Sequence, residues 1–114
     1  MLLAAGLLLA VAGPALAHSL LLESAPGAGA TLAASPSTLM LRFNNRIEKP
    51  LSRVRLVDAS GAPQALTLSP NAGGADRLVA TMPPLGPGTW RVEWQVLSTD
   101  GHVVAGRFQF TVAP

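Results

Sequence analysis

Hydrophobic and polar residues alternate with period two along much of the chain, most cleanly in its last third. Trp90, Val92, Trp94 and Val96 share one register, while Arg91, Glu93 and Gln95 share the other. Such alternation predicts a half-buried strand. After Ser98-Thr99-Asp100-Gly101 the pattern resumes, with Phe108, Phe110 and Val112 inward and Arg107, Gln109 and Thr111 outward. The two strands are expected to pair around residues 99–102. Both tryptophans sit on the apolar register and are read as core. Earlier in the chain, residues 19–24 and 39–43 predict two more strands. Residues 53–58 predict another, with Val54 and Leu56 on one face and Arg53 and Arg55 on the other. Residues 65–68 and 77–82 are shorter candidates. Clusters of Gly, Pro, Ser and Asn separate these runs, and residues 25–37 read as a loop. No sustained helical repeat and no internal repeat is present. Short strands spaced by turn signals predict an all-β sandwich or barrel.

The amino-terminal segment stands outside this pattern. Residues 2–11 form an almost unbroken apolar run, followed by Gly13, Pro14 and then Ala15-Leu16-Ala17. An apolar core ending in a small-x-small site reads as a secretory signal peptide, residues 1–17, cleaved after Ala17. Only Met1 precedes the run, with no Lys or Arg, which leaves room for a translation start further upstream. A retained membrane anchor is the alternative, but the run is shorter than the ~20 residues a spanning helix needs. The expected mature domain is residues 18–114, large enough to fold alone on its own core. The chain has no cysteine, so packing rather than disulfides must hold it.

Charge adds little. The 114 residues carry eight basic and six acidic side chains, and the arginines are spread along the sequence. A nucleic-acid footprint would need a basic stripe, so no nucleic-acid partner is expected. Solvated strand faces are the simpler account of these arginines.

The candidate chemistry lies in the two histidines. His18 falls at the predicted new amino terminus, and His102 lies two residues from Asp100 in the connection between the two best strands. Taken alone, Asp100-Gly101 is a common hairpin turn signal. Taken together, the three residues make a coherent ligand set. A free amino terminus and the imidazole of the same residue can chelate one metal through two nitrogens. The α-amino group titrates at about 7.7–8.0, so a tightly bound metal displaces its proton near neutral pH. His102 supplies a third nitrogen. On extended backbone, Asp100 and His102 leave from the same face. Three nitrogens and a carboxylate oxygen suit a tetragonal site, which favours copper(II). Zinc is the competitor, although its sites are more usually tetrahedral with thiolates or more imidazoles. Copper(I) prefers soft ligands, and beyond residue 17 only Met40 and Met82 remain, both in apolar strand patterns and read as core. No dedicated copper(I) site is expected.

These residues resemble the CopC family of periplasmic copper-binding proteins. The likeness starts with His18 after the Ala-x-Ala site and continues through Ser24-Ala25-Pro26-Gly27-Ala28-Gly29-Ala30. It is strongest over residues 83–112, where G-x-W-x-V-x-W is followed by S-T-D-G-H and then G-x-x-x-F. The resemblance implies a seven-stranded Greek-key β-barrel or Ig-like β-sandwich that is not an enzyme. It also implies a copper(II) site held by His18, Asp100 and His102, and an expected monomer that hands copper to a CopD-like inner-membrane partner. Two features depart from the family pattern. Asn44-Asn45 follow Phe43 where many relatives carry an acidic residue. Asn45, at that position, would hydrogen-bond to a ligand without adding charge, so weaker binding is expected. The Met-rich segment that some members use for copper(I) is missing.

Two other functions compete. A metal-free Ig-like interaction module would use Asp100-Gly101-His102 as a turn only. A copper oxidase would share the amino-terminal chelate, but the chain has no Tyr and no long loops for a polysaccharide face. Fold alone separates neither from a copper carrier.

Overall fold

The alternation is realised in the computed structural model, which describes residues 20–114. The signal-peptide call on residues 1–17 therefore lies outside the described residues, as do His18 and Ser19. The described chain forms nine strands. They are β1 (Leu21–Ala25), β2 (Thr31–Leu32), β3 (Thr38–Phe43), β4 (Arg53–Val57), β5 (Pro63–Gln64), β6 (Thr67–Leu68), β7 (Arg77–Thr81), β8 (Gly88–Leu97) and β9 (Val103–Val112). A 3-10 turn at Lys49–Leu51 leads into β4.

The strands form a four-stranded sheet in the order β1-β3-β7-β6 and a five-stranded sheet in the order β2-β9-β8-β4-β5. The expected all-β sandwich is what forms. It has nine strand segments where the resemblance implied seven, and three of the nine are only two residues long. One of these, β2, lies in the stretch read as a loop and pairs in parallel with Thr111 and Val112 of β9. Of the candidate strand at residues 65–68 only Thr67–Leu68 forms, and another short strand, β5, precedes it. Pro63–Gln64 pairs with β4 and Thr67–Leu68 pairs with β7, so the chain changes sheets at residues 65–66.

The inward registers meet in one core. β3 contributes Leu39, Leu41 and Phe43, β7 contributes Leu78 and Ala80, and β8 contributes Trp90, Val92, Trp94 and Val96. Each large apolar side chain taken from water stabilises the fold by about 1.5–3 kcal/mol. Phe43 and Trp94 join the two sheets edge to face, with ring centroids 5.2 Å apart. Such a pair adds about 0.5–1.5 kcal/mol beyond its area. Trp94 also lies over Gly106, its partner across the β8–β9 ladder. A Cβ at Gly106 would stand 2.8 Å from Trp94 Cε2, so only glycine leaves room for the indole. Trp90 donates its Nε1–H to the Gly86 carbonyl at 3.0 Å. The methionines divide. Met82 is core as expected, but Met40 is only half-buried, because it lies on the outward register of β3 between Leu39 and Leu41.

The sheet edges are short or irregular. β2, β5 and β6 have two residues each, and β1 carries a bulge at Leu22, where the register with β3 slips between Leu21 and Glu23.

Candidate metal centre

One end of the sandwich gathers the chemistry, and a chain of backbone contacts builds it. The start of β1 is clasped by Asn44. Leu20 N–H donates to Asn44 Oδ1 at 2.7 Å, and Asn44 N–H donates back to the Leu20 carbonyl at 3.0 Å. Three residues further on, Ile47 bridges Ser98. Glu48 N–H donates to the Leu97 carbonyl at 3.0 Å, and the buried Ser52 hydroxyl donates to Glu48 O and accepts from Leu97 N–H. The beginning of β1, the 44–48 segment and the end of β8 are thus stitched together.

The β8–β9 connection sits on this end. Ser98 N–H donates to the His102 carbonyl at 2.8 Å, and Gly101 N–H donates to the Ser98 carbonyl at 3.0 Å. Gly101 has φ +88°, a left-handed conformation that glycine adopts without steric cost. Asp100 turns back on His102 twice. Its Oδ1 accepts from His102 N–H at 3.0 Å, and its Oδ2 lies 3.1 Å from His102 Nδ1. The two side chains therefore meet, as expected, but for a different reason. They do not leave one face of an extended strand. They meet because the turn folds the carboxylate over the backbone and ring two residues on, the usual habit of Asp in turns. The His102 side chain is 65% exposed and that of Asp100 23%. An imidazole so open to solvent contributes little to the core.

A carboxylate against Nδ1 fixes the ring and its tautomer, with the proton on Nδ1 and the lone pair on Nε2. That arrangement is common behind metal-ligating histidines. Among the described residues, no three His, Asp or Glu side chains gather into a metal-sized group. His18 lies outside the described residues, but Leu20, two residues later, is fixed by Asn44 at this same end of the sandwich. Two residues of extended chain reach at most ~7 Å.

Asn44 is the residue that sequence reasoning passed over in favour of Asn45. Asn45 makes no side-chain hydrogen bond among the described residues, whereas Asn44 holds the entry to β1. The signal available was the Asn-Asn pair closing a strand, which marks a turn but does not say which amide is used.

A family model described as the CopC domain matches residues 21–113. Copper resistance protein C of Escherichia coli is 32% identical over 118 aligned residues, covering 96% of this chain and 93% of that protein. The crystal structure of CopC from Methylosinus trichosporium OB3b superimposes with a TM-score of 0.80 at 35% identity, covering 85% of this chain and 95% of that one. PcoC, a methionine-rich copper resistance protein from Escherichia coli, superimposes with a TM-score of 0.76 at 32% identity, covering 84% of this chain and 99% of that one.

Proposed function

This chain belongs to the CopC family, whose members bind copper and are not enzymes, and from that premise we propose that it is an exported, periplasmic carrier or buffer for copper(II). The signal peptide of residues 1–17 is removed, and the domain of residues 18–114 then begins at His18. Its new α-amino group and its imidazole chelate the ion. His102 supplies the third nitrogen, and Asp100, released from its contact with Nδ1 when the ion binds, supplies the carboxylate oxygen. Before cleavage the His18 nitrogen is an amide, a poor ligand, so the precursor lacks the complete donor set.

The observation that carries this reading is the Asp100–His102 pair. An exposed imidazole with Nδ1 held 3.1 Å from a carboxylate sits at the end of the sandwich where the start of β1 is anchored. Nitrogen donors with one carboxylate favour copper(II) over copper(I). Met82 is buried and Met40 half-buried, so neither supports a thioether site. The bound ion serves copper tolerance or supply in this reading and passes to a CopD-like membrane partner.

Copper(II) titration of the processed protein tests the reading. One equivalent should bind with a visible absorption band, and His18→Ala or His102→Ala should remove that band. Mass spectrometry of the mature amino terminus should find His18 first. A protein that begins elsewhere yet binds copper equally well overturns the proposed ligand set.

A further inference from the structure

The arginines that are scattered in sequence are gathered by the fold. Alternate residues of β4, β8 and β9 point outward from the five-stranded sheet, and the pairing aligns them in rows. Arg53 is opposite Gln95, which is opposite Ala105; Arg55 is opposite Glu93, which is opposite Arg107. Arg91 follows on β8. Four arginines thus surround one acid, Glu93, and this face carries more net positive charge than the whole chain, which is only +2. Glu93 accepts from Arg55 Nε at 3.1 Å and from Arg91 Nε at 2.9 Å. Arg53 and Arg107 make no ion pair among the described residues.

The face is concave. Between the two rows the side chains of Val54 and Trp94 turn toward the core and Gly106 has none, so backbone floors a trough of about 570 Å³. A second hollow of about 370 Å³ adjoins it and shares Arg107. Two residues beyond the Gln95–Ala105 pair, about 7 Å along the strands, lies the Leu97–Val103 pair, with Val103 60% exposed. Leu51, 63% exposed, stands two residues before Arg53. The trough therefore has an apolar lip, and that lip adjoins the turn bearing Asp100 and His102.

We propose that this arginine-lined trough is a docking surface for a carboxylate-rich segment of a protein partner, which it holds beside the copper end of the sandwich. The occupant follows from charge and shape. Guanidinium groups pair with carboxylates in a planar, two-pronged geometry that suits a chain carrying Asp or Glu side chains. A trough admits an extended polypeptide, whereas a bilayer surface cannot enter it. The trough lies on the face of the sheet over β8, whose backbone is paired with β4 on one side and β9 on the other, so side chains rather than an added strand make the contacts there. The role of the docked partner as a copper recipient rests on the function proposed above; the binding itself does not.

Titration of the metal-free, full chain with a short polyglutamate peptide, followed by amide NMR shifts, tests the proposal. Shifts should map to β4, β8 and β9 around Arg53, Arg55 and Arg107. The paired substitution Arg53→Gln with Arg107→Gln should weaken binding by about tenfold or more. Arg53→Lys with Arg107→Lys should retain part of it. Raising salt to about 1 M, where the Debye length is about 3 Å, should abolish it. The proposal is overturned if shifts map to another face, if the Gln variant binds as tightly, or if phosphatidylglycerol vesicles bind this face while the peptide does not. Copper(II) titration of the same Gln variant should be unchanged. Loss of copper binding in the unsubstituted protein would sink the proposed function but leave the peptide result standing.

Discussion

Along β8 and β9 a single hairpin runs from a buried half to an exposed one. In the buried half Trp90, Val92, Phe110 and Val112 are at most 8% exposed, and Trp94 lies against Phe43 and over Gly106. Toward the turn Val96 and Ser98 are still buried, but Val103 is 60% exposed and the His102 side chain 65%. The first half is held by volume, so any change of shape is felt throughout the core. The second is held by backbone hydrogen bonds within the turn, which leaves its side chains to serve chemistry. Stability and ligand binding are thereby lodged at opposite ends of the same element.

The largest expected effect breaks the buried half. Trp94→Ala should cost about 3–5 kcal/mol, much of the ~5–15 kcal/mol that holds a typical domain, and should lower the midpoint of thermal unfolding and lose copper together. His102→Ala should do the opposite. Copper(II) affinity should fall by more than the roughly 10–100-fold that follows loss of a ligand's hydrogen-bond partner, while apo stability stays within about 0.5 kcal/mol. If calorimetry finds His102→Ala as damaging to the apo fold as Trp94→Ala, the separation of the two ends is wrong.

Smaller changes sharpen the contrast. Gly106→Ala forces a methyl against the indole and should cost about 1–3 kcal/mol, which is about 4–8 °C of melting temperature for each kcal/mol in a domain near this size. Asn44→Ala removes the acceptor for Leu20 N–H and should cost about 0.5–1.5 kcal/mol. Its effect on copper affinity should exceed its effect on melting, because Asn44 anchors the segment that leads back to His18.

The smallest effect is electrostatic. The Glu93 carboxyl is held below its ordinary value first by the Arg91 hydrogen bond and then by the charge of Arg55. Folding favours its ionised form, so the contribution is present above the unfolded value of about 4.3 and is lost as pH falls through the lowered one. The pair is exposed and screened by salt. Acid unfolding of Glu93→Gln should therefore differ from that of the parent only slightly, and only at low ionic strength.

The strands that were legible in the sequence are those long enough to show a period. β8 and β9 repeat their alternation over ten residues each, and the inward and outward sets read from the sequence are those observed. β2, β5 and β6 have two residues each, too few for any period, and exist because a longer strand offers them hydrogen bonds. Asp100 and His102 could be paired from spacing, but the turn that brings them together could not, since extended backbone and an Asp turn both join residues two apart. The clasp of Asn44 on Leu20 and the arginine face depend on register between strands distant in sequence. No local pattern encodes that register.

The irregular edges of the two sheets bear on how the protein behaves when it accumulates. A neighbouring molecule can add to a sheet only where several consecutive amide and carbonyl groups stand open in one straight row. Three of the four outermost strands have two residues, and the bulge at Leu22 interrupts the fourth. But β2 covers only Thr111 and Val112 of β9 and leaves residues 103–108 of that strand without a strand partner on their outer side among the described residues. Strand addition is therefore disfavoured at β1 and at the two-residue strands, and the uncovered stretch of β9 is the border left for a second copy to pair with.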